Sequence, residues 1–287
     1  MGRIDHHRPQ YPEPKGQFKK SYHLEMVADR QRTGAILRAL RLTLSQSPDS
    51  VFCELGCGTG IFSIYAAGFC KKVYAVELDP KMVAIARQNI VHAKLEHKIE
   101  LIEGDASTIT LPEKADIVFC EMMSIWCIEE PQIPVFNHAV EQILRPGGQY
   151  LPSRIVNMAE LGHFNFQLEN VEIKASMPLF TGIPRSGIMT GRRVCRVLDF
   201  SQPMDLSLNA STTFEAMGDG TLNCAKLTSI VQMGPQTIFS GSDSLMPLTV
   251  APLQEPLEVK FGDRIRFDAS AHARMDLNEA EFTVQKI

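Results

Sequence analysis

The sequence predicts an α/β half followed by an antiparallel β half, an α/β + β chain with its border near residue 152. Three observations carry this. Short, continuous apolar runs alternate with helical periodicities as far as Leu151. A turn with three glycines follows the first of those runs. Beyond Pro152 the apolar spacing falls from about 3.6 residues to about 2, and no helical pattern returns.

Residues 1–16 are polar and contain Pro9, Pro12 and Pro14, which reads as a flexible tail. From about Tyr22 the pattern is helical. Ile36, Leu37, Leu40 and Leu44 share one face, and Ser47-Pro48-Asp49 ends it. The run 51–55 (VFCEL) is a first strand, followed by the glycine turn and a helix to about Gly68. The run 72–78 (KVYAVEL) is a second strand, and Asp79-Pro80 caps and opens the next helix. Strands follow at 99–104 and 115–121. Phe136, Ala139, Val140, Ile143 and Leu144 mark a helix stopped by Pro146-Gly147-Gly148, and a fifth strand lies near 149–151. Unbroken apolar strands separated by helices are the signature of a parallel sheet covered on both faces. In the last third, Phe164, Phe166 and Leu168 alternate with polar residues. So do Leu257, Val259 and Phe261, and the Gly262-Asp263 turn predicts a hairpin to Ile265 and Phe267. The expected units are a tail at 1–16, a ligand-binding unit at 17–152 and a β unit at 153–287.

The 287 residues, 44% hydrophobic and 22% charged, suit a globular chain with a sizeable core. A net charge of −4 argues against a polycation built around phosphate backbones. The longest uncharged run, from Leu55 to Cys70, is too short and too glycine-broken to span a bilayer, and the N-terminus lacks an apolar signal segment. Seven cysteines with no Cys-x-x-Cys pair suggest neither a disulfide framework nor a zinc site, so the expected compartment is the cytoplasm and no metal is expected.

Three positions after successive strands carry the chemistry of a ligand crevice. Glu54-Leu-Gly56-Cys-Gly58-Thr-Gly60 lets the backbone turn tightly and approach a ligand. Ile61 stands where a dinucleotide fingerprint needs its third glycine. Glu77 ends the second strand, where a carboxylate can accept two ribose hydroxyls. Gly104-Asp105-Ala106-Ser107 follows the third, where a short polar side chain can reach an adenine amino group. After the fourth strand come Glu121 and, nine residues on, Glu130. Two carboxylates aimed at one point suit a planar cation with several N–H donors, a guanidinium above all. Glu129, two residues before Pro131, reads as a solvated helix start.

The Glu54–Gly60 pattern resembles motif I of class I methyltransferases that bind S-adenosylmethionine. The order of motifs over roughly residues 20–155 resembles the protein arginine methyltransferase family. Residues 23–33 (HLEMVADRQRT) resemble that family's helix over the cofactor, Glu121 and Glu130 its double-glutamate loop, and Leu151-Pro152-Ser153-Arg154 its junction into a C-terminal β-barrel. The resemblance implies a Rossmann-like class I methyltransferase domain, an antiparallel β-barrel-like domain, and S-adenosylmethionine as cofactor. It implies that Arg32 pairs with the cofactor's methionine carboxylate and that Met26 packs near the reacting centre. It also implies a guanidino-bearing acceptor, in a protein or a small molecule, and leaves a homodimer open.

The chain departs from the family in its β half. The only tryptophan, Trp126, lies inside the glutamate loop, so the family's Thr-His-Trp loop is absent, with Ser244–Leu248 in the corresponding stretch. Met122 and Ile125 replace loop aromatics. Two alternatives stay open: methyl transfer to another amine or a nucleic-acid group, which the paired carboxylates disfavour by repelling phosphate, and a non-catalytic binding module. Arg185, Arg192, Arg193 and Arg196 read as a solvated basic cluster, and His6 and His7 as tail residues.

Overall fold

In the computed structural model, residues 26–179, 187–234, 236–240 and 248–287 are described. The predicted tail, His6, His7, His23–Glu25, Arg185 and Ser244–Pro247 lie outside them.

The first half is a five-stranded parallel sheet. Its strands are β1 (Val51–Leu55), β2 (Lys72–Glu77), β3 (Ile99–Glu103), β4 (Ala115–Cys120) and β5 (Leu144–Leu151), in the order β3-β2-β1-β4-β5. Every residue of β1 is buried, as a central strand covered on both faces requires. Helices α1 (Arg30–Leu44), α2 (Ile61–Ala66), α3 (Pro80–His92) and α4 (Gln132–His138) complete this half. Asp29 caps α1 by accepting from the Arg32 N–H at 3.1 Å. Asp79 caps α3 by accepting from the Lys81 N–H at 2.9 Å, with Pro80 in the first turn. The helix expected through Leu144 is α4 followed by a single π turn (Ala139–Ile143), and β5 begins at Leu144, earlier than the predicted 149. Leu144 pairs with Ala115, so the sheet recruits the Pro146-Gly147-Gly148 stretch as an irregular strand.

The second half is antiparallel. One sheet runs β10-β6-β12-β14-β9, with strands Arg193–Asp199, Arg154–Gly162, Gly220–Gly234, Leu248–Val259 and Met177–Leu179, and β13 (Thr237–Ser240) pairs with β12. A three-stranded sheet runs β11-β15-β16 (Ala210–Glu215, Arg264–Ser270, Glu281–Lys286), and β7 and β8 (Gln167–Leu168, Val171–Glu172) form a two-stranded ribbon. Among the described residues β16 lies against β14 and β11 against β10, so the two larger sheets adjoin along both edges, as a barrel-like half requires.

Two expectations are corrected here. The Gly262-Asp263 turn does not make a hairpin: β14 pairs with β12 and β9, whereas β15 pairs with β11 and β16. The turn is a corner between sheets, pinned by hydrogen bonds of 2.9 Å from the Gly262 N–H to the Ala216 carbonyl and from the Ala216 N–H to the Asp263 carbonyl. Alternation specifies which face of a strand is buried, and it is silent on which strand lies alongside. In the run 164–168 only Gln167–Leu168 is a strand, while Phe164 and Phe166 pack edge to face with centroids 5.0 Å apart.

One continuous apolar core runs through both halves, from Phe52 and Phe119 to Phe214 and Phe267. Helix α1 packs against α2 and also against β12 and β13, so it ties the halves together. Among the described residues no helix is long and apolar enough to cross a membrane.

Candidate active site

The strand order reverses direction at β1, whose neighbours are β2 and β4, and ligands of open α/β sheets bind beyond the carboxyl ends of the strands at such a point. The singled-out residues lie there.

The turn after β1 holds three left-handed glycines, Gly56, Gly58 and Gly60, with φ of 79°, 53° and 79°. Its N–H groups are tied to β2. Gly56 and Cys57 both donate to the Val76 carbonyl at 2.9 Å, and Gly58 donates to Glu77 Oε2 at 2.7 Å. Glu77 Oε1 accepts from the Leu78 and Asp79 N–H groups at 2.9 Å each. An ionised carboxylate has about four acceptor directions. Glu77 therefore fixes the glycine turn and keeps acceptor capacity for a ligand. Glu54, at the end of β1, is buried and accepts from the Ser63 hydroxyl. Burial pushes its carboxyl up to about 8 against the pull of that hydrogen bond.

After β3, the Gly104 N–H donates to the Glu77 carbonyl at 2.9 Å, which sets the next turn beside the glycines. Asp105 is exposed, and its Oδ1 accepts from the Ser107 N–H at 2.8 Å and hydroxyl at 2.7 Å, bonds that lower its pKa. Ala106 between them is buried.

Arg32 enters from the first turn of α1. Its guanidinium forms an ion pair with Glu121, donates to the Met26 carbonyl at 3.3 Å, and lies 5.9 Å from the centre of the Phe62 ring. The arginine expected at the cofactor's carboxylate thus stands on the first glutamate of the loop. The same charge reaches Glu130, whose carboxyl is pushed up to about 7 by burial, with Arg32 opposing and Glu129 adding to the rise. Glu129 is exposed and faces away, toward Asp276 and Leu277. Arg32, Glu121 and Met26 are therefore in contact, Glu130 lies within reach of the Arg32 charge, and Glu129 is left at the rim.

Sequence reasoning passed over the residues that hold the loop. Gln132 is buried. Its Oε1 accepts from the Met122 N–H at 2.8 Å, and its Nε2 donates to the Cys120 carbonyl and the Tyr150 hydroxyl at 3.2 Å. Ser124 Oγ accepts from the Glu129 N–H at 2.9 Å and the Glu130 N–H at 3.2 Å. A hydroxyl inside an apolar stretch was a signal for Ser124; Gln132 gave none. The Met122 methyl lies where a Cβ on Gly56 would stand, so the glutamate loop and the glycine turn touch. Arg192 pairs with Glu160 at 3.3 Å, as a solvated basic face would.

Residues 52–148 match a methyltransferase domain family. An uncharacterized protein of Methanocaldococcus jannaschii is 28% identical over 240 residues, covering 83% of this chain and 87% of that one. Protein arginine N-methyltransferase 2 of Dictyostelium discoideum is 34% identical over 137 residues, 47% of this chain and 27% of that protein. The matched stretch is thus well under half the length of that arginine methyltransferase. A Trypanosoma brucei PRMT1 enzyme–prozyme heterotetramer, solved with AdoHcy, superposes with a TM-score of 0.78 at 20% identity, over 94% of this chain and 98% of that one. The donor set fits S-adenosylmethionine: left-handed glycines after β1, a carboxylate at the end of β2, another beyond β3, and a cation on the carboxylate that follows β4.

Proposed function

We propose that this chain, a class I methyltransferase that uses S-adenosylmethionine and resembles the protein arginine methyltransferases, methylates a guanidino nitrogen of arginine in a protein or of an arginine-like small molecule. One observation supports the reading: the crevice already holds a guanidinium, that of Arg32, on the first glutamate of the loop, Glu121. The unit at 17–152 would bind the cofactor, and the unit at 153–287 would complete the acceptor side and support a homodimer.

In this reading Glu77 receives a ribose hydroxyl on the acceptor direction its three N–H partners leave open, and Asp105, Ala106 and Ser107 receive the adenine. The backbone around Gly56, Gly58 and Gly60 passes close to the adenosyl group, with Glu54 beneath it. Arg32 takes the methionine carboxylate and Met26 covers the reacting end. Bound S-adenosylmethionine supplies an electrophilic methyl on a sulfonium. Glu121 and Glu130 hold the guanidinium in plane and direct one nitrogen along the line of attack. Their charge localises the acceptor's positive charge away from the attacking nitrogen. Arg32 sits between the two roles. When it turns to the cofactor's carboxylate it releases Glu121 for the acceptor, so cofactor binding would precede acceptor binding.

The test is label transfer from methyl-labelled S-adenosylmethionine into a cell extract, followed by separation by size. Label in macromolecules that is lost with Glu121→Gln supports a protein-arginine acceptor. Label confined to small molecules assigns a metabolite. Label independent of Glu121 removes the guanidinium argument.

A further inference from the structure

The middle of the glutamate loop is held by the β half. Trp126 and Cys127 both have left-handed backbones, with φ of 56° and 60°, although neither is glycine. Such a conformation persists only where the surroundings impose it. The surroundings here are β6 and β12. Trp126 Nε1 lies 3.2 Å from the carbonyls of both Met158 and Thr228, and its backbone N–H donates to Ser229 Oγ at 3.2 Å. Its carbonyl accepts from Asn157 Nδ2 at 3.1 Å. The Ser229 hydroxyl donates to Asn157 Oδ1 at 2.8 Å, which closes the network. Trp126, Asn157 and Ser229 are each 1% exposed, and the indole packs edge-on against Phe282, 6.2 Å between centroids. A tryptophan that merely filled the core would need one partner, for its indole N–H. Here the backbone donor and acceptor of the loop's central residue are also bound by side chains from the other half of the chain.

We infer that Asn157 and Ser229 are positioning residues for methyl transfer: acting through Trp126, they hold the loop in the left-handed turn that aims Glu121 and Glu130 at one point. The inference rests on the guanidino reading for what the glutamates do, and on geometry alone for what holds them. Without the network, Trp126 and Cys127 relax to ordinary φ values and both flanks of the loop swing. A shift of about 1 Å at a reacting centre costs about 100-fold in rate.

The chain has a single tryptophan, so its fluorescence reports on this turn alone. The experiment compares full-length wild type with Asn157→Ala, Ser229→Ala and Ser229→Thr. Three readouts are taken: tryptophan emission with acrylamide quenching, S-adenosylhomocysteine affinity by calorimetry, and steady-state transfer from labelled S-adenosylmethionine to an arginine-containing peptide and to free arginine. In the two alanine variants the emission moves to the red and quenching rises. Their S-adenosylhomocysteine affinity stays within a few fold, which certifies the fold, while kcat falls about 100-fold and KM changes much less. Ser229→Thr keeps the hydroxyl and restores both emission and kcat. Freed emission with unchanged transfer overturns the inference, because the turn then does not aim the glutamates. Unchanged emission overturns it too, because the network then does not hold the turn. A wild type that binds S-adenosylhomocysteine but labels neither acceptor overturns the guanidino reading instead, and the hold on the loop is then judged by emission alone.

Discussion

The turn after β1 and the loop after β4 leave neighbouring parallel strands, face one crevice and touch each other at Gly56 and Met122. Both contain left-handed backbone, and they obtain it in opposite ways. The first uses glycines and is held by its own half, through Val76 and Glu77. The second uses Trp126 and Cys127 and is held from the far half, through Asn157 and Ser229. The glycine turn is thus held within its own half, whereas the glutamate loop, pinned locally by Ser124 and Gln132, draws the hold on its centre from the far half.

The largest expected effect separates the two ends. Glu121→Gln should lower kcat by about 10²–10³, the scale of one lost electrostatic contact to the reacting group, while S-adenosylhomocysteine affinity stays within a few fold. Calorimetry beside the label-transfer assay checks this, and a matching loss of cofactor affinity would show that the ends are not separable. Next in size, Gly56→Ala forces a Cβ at a left-handed φ and into the Met122 methyl. Backbone strain of this kind costs about 1–3 kcal/mol. Urea unfolding should show that loss, and Gly56→Ala with Met122→Ala should recover part of it. Full recovery would assign the whole cost to the contact and none to φ.

Glu77→Ala should weaken cofactor binding roughly tenfold to 100-fold, since hydrogen bonds to a charged group are worth about 1.5–3 kcal/mol. An unchanged dissociation constant would remove the ribose assignment. The smallest effect is on pH. Glu130 must be ionised to hold a guanidinium, and burial raises it to about 7, so kcat/KM should climb as pH rises through about 7. Glu54 is raised to about 8, so its proton favours the folded state. That stability is complete below the ordinary carboxylate range and is lost as pH rises through about 8. Between pH 5 and 8, roughly, wild type should lose more stability than Glu54→Gln; parallel pH profiles would mean that Glu54 does not titrate in the fold.

The same contrast explains what could be read in advance. The five parallel strands, the capped α3 and the residues Glu54, Glu77 and Asp105 stand in short windows whose meaning is local: an apolar run, a glycine turn, an acid at a strand end. Glu121 and Glu130 were visible as a spacing. The supports of their loop were not. Ser229 is 103 residues from Trp126 and Thr228 is 102, and neither is marked by its neighbours. The resemblance set Arg32 on the cofactor's methionine carboxylate; its partner in the structure, Glu121, belongs to a strand end that no local pattern connects to α1. The β14–β15 corner failed for a related reason, since period-two alternation names a buried face and leaves the partner strand open.

Strand β12 pairs with β6, β13 and β14, and it also carries Thr228 and Ser229. Its pairing with β6 is long-range and therefore slow to form. During synthesis the parallel sheet and its glycine turn emerge first. The turn at Trp126 cannot close until β12 has been made and has found β6. A growing chain would thus form its glycine turn well before the centre of the glutamate loop is held, and on the proposed reading competence to transfer a methyl group arrives as one of the last events of folding.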